Sequence, residues 1–153
     1  MEKAIFGAGC FWGVESTFRQ TKGVESTSVG YSGGASKDPS YQDVCSGTTG
    51  HAEVVEVDYD PSVVTYKTLL NVFWECHNPT TLNRQGPDVG TQYRSAVFYL
   101  TPEQKALAEA SKEQLNQSGK LDKEIVTEIT EASKYYRAEE YHQQYFEKLG
   151  HVR

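Results

Sequence analysis

Two strand-like runs, Val24 to Tyr31 and Glu53 to Tyr59, follow one another with no helical pattern between them. That adjacency breaks the strand–helix alternation of a doubly wound parallel sheet and points to antiparallel pairing. Residues 3–8 form an apolar run ahead of a helix over 10–20, where Phe11, Val14 and Phe18 keep the i, i+3, i+7 spacing of one buried face. Thr65 is placed to cap a helix over 66–76, with Tyr66, Leu69, Leu70 and Phe73 as its core stripe. Residues 94–100 are apolar on both faces, as an internal strand is. Thr101-Pro102-Glu103-Gln104 joins an N-cap, a proline at the first helical position and a capping-box Gln, opening a surface helix to about Gln117. A strand around Ile125–Thr130 and a short amphipathic helix near Glu139–Leu149 follow. The order β-α-β-β-α-β-α-β-α predicts an α+β fold: a mixed, mostly antiparallel sheet with packed helices. Its first βαββαβ stretch fits the split-βαβ, ferredoxin-like plan, with additions toward the C-terminus. No internal repeat or linker divides the chain, so one catalytic-size domain over 1–153 is expected, large enough to bury a core without disulfides or a structural metal.

Charge and cysteine usage exclude several classes. A net charge of −6 with no basic run leaves no footprint for nucleic acid. No stretch approaches the ~18 apolar residues of a membrane span. The opening Met1-Glu2-Lys3-Ala4-Ile5-Phe6 lacks a secretory pattern. Three irregularly spaced cysteines do not make a disulfide framework. A cytoplasmic, thiol-reducing setting is therefore expected.

Chemistry concentrates in two places. Cys10 lies in Gly7-Ala8-Gly9-Cys10-Phe11-Trp12-Gly13, between the first apolar run and the first helix. A lone cysteine is usually a small hydrophobe. Here the helix start should favour the thiolate, three glycines permit close approach, and two aromatics supply apolar surface beside the sulfur. In the strand over 53–59, Val55, Val57 and Tyr59 share one face and Glu53 has their parity, so its carboxyl is predicted to point inward. Two polar stretches, 35–50 and 77–93, read as long loops, which in compact domains are usually functional or disordered.

Four ordered blocks carry a resemblance: Gly9-Cys10-Phe11-Trp12-Gly13; Tyr41-Gln42-Asp43-Val44-Cys45-Ser46-Gly47; Gly50-His51-Ala52-Glu53-Val54; and Asn83-Arg84-Gln85-Gly86 through Gln92-Tyr93-Arg94-Ser95. Together they resemble the peptide methionine sulfoxide reductase A family, which acts on the S epimer of methionine sulfoxide. The resemblance implies thiol-dependent reduction of methionine-S-sulfoxide, free or in proteins, through a cysteine sulfenic acid, repairing oxidative damage. It implies Cys10 as nucleophile and Glu53 as the acid that protonates the sulfoxide oxygen. Tyr41 and Tyr93 would donate hydrogen bonds to that oxygen, and Asp88 would belong to the network around them. Phe11 and Trp12 would receive the substrate methyl group. Phe11 also lies on the helix's core stripe, so Trp12, which is off it, is the stronger candidate for contact. No cofactor or metal is implied.

Two other readings compete. Cys45, His51, Cys76 and His77 lack zinc-site spacing. A thiol peroxidase would also use an activated cysteine, but needs neither the paired aromatics nor an inward Glu. The chain departs from common family patterns twice: the tail from Tyr141 to Arg153 contains no cysteine, and Asn78 stands where Asp is usual, with little effect expected because Asn serves the same turn. Cys76 follows Phe73 by three residues and is expected to be buried with its stripe. Cys45, in the loop between Tyr41 and Glu53, is the better internal resolving thiol. An external thiol, glutathione–glutaredoxin or thioredoxin, is favoured over either.

Overall fold

The computed structural model describes residues 1–149. Strands β1 (Glu2–Ala8), β2 (Val24–Ser32) and β3 (Ala52–Tyr59) alternate with helices α1 (Phe11–Arg19), α2 (Tyr41–Cys45) and α3 (Tyr66–Glu75). The short strands β4 (Arg84–Gln85) and β5 (Asp88–Val89) precede β6 (Ser95–Tyr99), α4 (Pro102–Gln117), β7 (Glu128–Glu131), β8 (Tyr136–Arg137) and α5 (Tyr145–Lys148). Single 3-10 turns cover Thr91–Tyr93 and Glu140–His142.

The main sheet runs β7-β6-β1-β3-β2-β8. Its inner four strands pair antiparallel throughout, in the order expected of a split-βαβ core. The additions flank that core: β7 lies parallel to β6, and β8 lies antiparallel to β2. This is the mostly antiparallel α+β architecture that the element order predicts. Helices α1 and α3 cover one face because the apolar parity of β1 and β3 points there, with Ala4, Phe6, Val55, Val57 and Tyr59 all in the main buried cluster. Phe6 is the keystone of that face. Its ring stacks on Phe18 of α1 at 5.1 Å and on Phe73 and Tyr66 of α3 at 5.2 and 5.9 Å. Burial of such a ring contributes about 1.5–3 kcal/mol. Ile5, Ala52, Val54, Ala96 and Phe98 form a second cluster on the opposite face, covered in part by Ala132 and Tyr135.

The caps follow the sequence. Thr65 Oγ1 accepts from the Thr68 N–H at 3.1 Å, and Thr101 Oγ1 from the Gln104 N–H at 3.1 Å. The Gln104 side chain does not close a box on its own cap. It accepts from Leu100 N–H and donates to Lys3 carbonyl, tying α4 to β1.

Three expectations need correction. The two long loops are partly regular: α2 sits inside 35–50, and a β4–β5 hairpin inside 77–93. The penultimate strand is Glu128–Glu131, shifted from 125–130, with the register set by parallel pairing of Ala96 with Glu128. The final amphipathic helix over 139–149 is two short pieces. Gln144 between them is left-handed at φ 54, its N–H drawn to Glu15 Oε1 at 2.7 Å, and Gln143 is pinned to β2. Two tertiary bonds outweigh local helix propensity there.

Candidate active site

The sheet topology brings the chemistry to one edge. Strands β1 and β2 end where β3 and β6 begin, as the pairings Ala8–Ser95 and Tyr31–Glu53 show. Cys10 follows β1 and is the N-cap residue of α1. Gly9 before it holds φ +101, and a Cβ there would press on the Gln85 side chain at 2.9 Å, so only glycine lets the β4–β5 hairpin close over this turn. Gln85 fixes the hairpin by accepting from Asn78 N–H at 2.9 Å and donating to Asn78 carbonyl at 2.7 Å. Asn78 makes its turn through Oδ1, which accepts from the Thr80 N–H and hydroxyl.

Glu53 is 1% exposed. Its Oε1 accepts from the Phe11 N–H at 3.1 Å, while Oε2 is buried with no partner among the described residues. Burial is the main cause that lifts its carboxyl from an ordinary 4.5 to about 7; the Phe11 N–H opposes the rise and the Asp88 charge adds to it. At neutral pH this group carries a proton for a substantial part of the time, and its free oxygen is where a proton would be given up.

The thiol departs from expectation. The Trp12 and Gly13 N–H groups do favour the thiolate, as a helix start should, although Cys10 makes no side-chain cap bond. Burial outweighs them, and the charges of Glu53 and Asp88 add to it, so the Cys10 pKa is pushed up to about 11. Near neutral pH Cys10 is therefore a thiol, not a standing thiolate. Protonation of Glu53 removes one of the two opposing charges.

Tyr41 begins α2 and Tyr93 ends the 3-10 turn before β6. Burial and the Glu53 charge raise both hydroxyls, Tyr93 to about 12, so both stay protonated and able to donate. The Tyr41 hydroxyl rests on Cys45 sulfur, a weak acceptor that is readily exchanged for a better one. Asp88, on β5, acts on Cys10, Glu53 and Tyr93 through its charge. Phe11 is 1% exposed and lies among Tyr31, Tyr41 and His142, a floor beneath the site. Trp12 is half-buried at its side. The Cys45, His51, Cys76, His77 set does not act together: His51 spans Gly34 N–H and Ser36 carbonyl, and His77 donates to Phe73 carbonyl and accepts from the Ser95 hydroxyl. Burial lowers His77 to about 4, as suits a neutral core histidine. Cys45 is exposed and Cys76 half-buried.

A group of residues the sequence reading missed closes the site from the far end of the chain. His142 Nδ1 accepts from the Trp12 indole N–H at 3.0 Å, and Tyr145 stacks on the indole at 3.8 Å. Glu139 accepts from the Tyr31 hydroxyl and the Tyr41 N–H, each at 3.0 Å. The aromatic density of 135–146, six of twelve residues being Tyr, Phe or His, was the available signal: a solvent-facing helix has no use for it.

The chain matches the sequence profile described as Peptide methionine sulfoxide reductase over residues 2–152. The chain belongs to that family. It is 61% identical over 150 residues to peptide methionine sulfoxide reductase MsrA of Methanoculleus marisnigri, covering 98% of this chain and 92% of the relative. Among solved structures, reduced Mxr1 from Saccharomyces cerevisiae superposes with a TM-score of 0.92 at 38% identity, covering 99% of this chain and 87% of the other. Mxr1 in complex with Trx2 gives a TM-score of 0.66 at 25% identity, covering 94% and 84%. This reductase thus catalyses thiol-dependent reduction of methionine-S-sulfoxide to methionine, a repair of oxidised protein.

The carboxyl of the reductase also carries a stability signature. Below about pH 4.5 Glu53 is protonated both folded and unfolded, and contributes nothing. Between 4.5 and 7 the folded state holds the extra proton, so stability falls as pH rises, and above 7 the full burial cost remains. Glu53→Gln removes that charge. The variant should gain on the wild type by roughly 3 kcal/mol at pH 8 and by nothing near pH 4. Urea titrations at the two pH values check this; an equal gap at both would place Glu53 in an unstrained setting.

Proposed function

We propose that Cys10, Glu53, Tyr41, Tyr93 and Asp88 perform the reduction, with Trp12 and the ring of Phe11 beneath it forming the methyl-binding wall. The Cys10 thiolate attacks the sulfoxide sulfur while Glu53 gives its proton to the oxygen. That attack forms an S–S bond; the hydroxyl then leaves the substrate sulfur and adds to the Cys10 sulfur, the S–S bond breaks with its electron pair going to methionine, and Cys10 is left as a sulfenic acid. Tyr41 and Tyr93 donate to the oxygen as charge gathers on it, and Asp88 keeps the region negative enough to hold the proton on Glu53 until it is needed. The observation that carries this reading is the buried Oε2, unpartnered among the described residues, of a carboxyl whose pKa is about 7, set in the same site as the half-buried thiol.

The cycle closes with an external thiol, of the glutaredoxin–glutathione or thioredoxin type. Three unpaired cysteines support a reducing compartment, the cytoplasm, and Mxr1 forms a complex with Trx2. No helix among the described residues is long and apolar enough to cross a membrane. The sheet and its two apolar clusters serve as one catalytic domain over 1–153, with no metal or cofactor in the reaction scheme. A peroxidase reading is weaker, because peroxide needs no methyl wall.

One experiment tests the scheme. A single turnover without reductant, trapped with dimedone, should place the adduct on Cys10 when the S epimer is supplied and leave the protein unlabelled with the R epimer. Fixed oxygen donors opposite a fixed methyl wall accept one arrangement at sulfur. Labelling by both epimers, or an adduct on Cys45, would overturn it.

A further inference from the structure

The segment 138–145 is laid along β2 by a dense set of bonds. Ala138 N–H donates to Val29 carbonyl at 2.9 Å, and the buried Gln143 amide both accepts from Val29 N–H and donates to Val29 and Ala138 carbonyls. Glu139 is thereby fixed at the place where β2 meets α2. Its two oxygens serve two different elements: Oε1 takes the hydroxyl of Tyr31, which is fully buried on β2, and Oε2 takes the N–H of Tyr41, the first residue of α2. Burial works against the charge on Glu139, but these donors and its own N–H more than offset it, and the carboxyl lies below its usual range.

Helix α2 needs such a tie. Five residues are too few to hold a helix unaided. Its capping box is internal: Ser40 Oγ accepts from Asp43 N–H and Asp43 accepts from Ser40 N–H. Those bonds shape the turn without anchoring it to the sheet. Val44 is the only α2 side chain that is buried, and it lies at the far end from Tyr41. The Tyr41 N–H is the helix's donor to the strap, across 98 residues of sequence.

We propose that Glu139 is a positioning residue for catalysis: by joining Tyr31 on β2 to the backbone of Tyr41, it sets where the Tyr41 hydroxyl meets the sulfoxide oxygen. This rests on the donor role proposed above for Tyr41. The carboxylate does not touch substrate. Its action is to fix the backbone at the start of a short helix whose other anchors are the buried Val44 and the Tyr41 ring packed on His142 at 4.4 Å, and misplacement of a catalytic group by about 1 Å costs on the order of 100-fold in rate.

The test is a double-mutant cycle on the rate of sulfoxide reduction in single turnover at saturating substrate, using Glu139→Gln, Tyr41→Phe and the double variant. Gln keeps one acceptor oxygen and presents an NH2 to the other donor. Glu139→Gln should slow reduction roughly 10- to 100-fold. In the Tyr41→Phe background the same change should cost less than about twofold, because there is no hydroxyl left to misplace. Glu139→Asp, which retains both acceptors, should recover part of the rate. Thermal melts of all variants establish that each is folded. A Glu139→Gln effect of equal size in both backgrounds, or no effect in either, would overturn the positioning role while leaving Tyr41 in place. A Tyr41→Phe variant with wild-type rate would instead remove Tyr41 from the mechanism, and the role of Glu139 with it.

Discussion

Cys10→Ser should abolish sulfoxide reduction while leaving a folded protein. Cys10 is the N-cap residue of α1, and serine is among the most favoured residues there. The serine oxygen can accept from the same first-turn N–H groups, so a thermal melt should be at or above that of the wild type. The hydroxyl, however, is a far weaker nucleophile toward sulfur and supplies no accessible anion near neutral pH. Turnover of methionine-S-sulfoxide should fall below detection with dithiothreitol or a protein reductant. Substantial residual activity in the folded variant would move the nucleophile elsewhere. The raised thiol pKa sharpens the point: the reactive anion is scarce near neutral pH, and protonation of Glu53 favours it by removing a neighbouring negative charge.

Glu53→Gln should slow the reduction step by roughly 10²–10⁴-fold, the range of general acid catalysis. The amide fills the same volume and its oxygen can still accept from Phe11 N–H, so substrate affinity should change much less than rate. The wild-type rate should rise with pH below about 7, as the Cys10 thiolate grows while Glu53 stays protonated, and level off above it as Glu53 loses its proton; that inflection should vanish in the variant. Single-turnover kinetics across pH 5.5–8.5 measure both. A variant with near-wild-type rate and an unchanged inflection would make Glu53 a structural group.

What was legible in the chain follows from the range of each interaction. The side-chain period of a strand is fixed at two, so residues 53–59 alone place Glu53 inward, and it lies with Val55 and Val57 on the face covered by α1. The order of periodicities gives the sheet its split-βαβ core for a similar reason: β2 and β3, with no helical period legible between them, pair directly across the short α2. The five residues of α2 show no period to detect, and glycines and serines on either side read as loop. The left-handed Gln144 is set by Glu15, 129 residues away, and nothing local to the tail reports that bond. Cys10 was located correctly at a helix start. Its raised pKa was not legible, because burial is a property of everything packed around the sulfur and not of the heptapeptide.

The bond from Trp12 to His142 spans 130 residues. On a ribosome Cys10 and Trp12 emerge about 130 residues ahead of His142. The central strands have what they need to pair once β6 is out, yet the indole beside the thiol stays unfastened until the strap arrives. The nascent chain thus carries Cys10 in an incomplete pocket until residues 138–145 have emerged, and the pocket closes only with that segment.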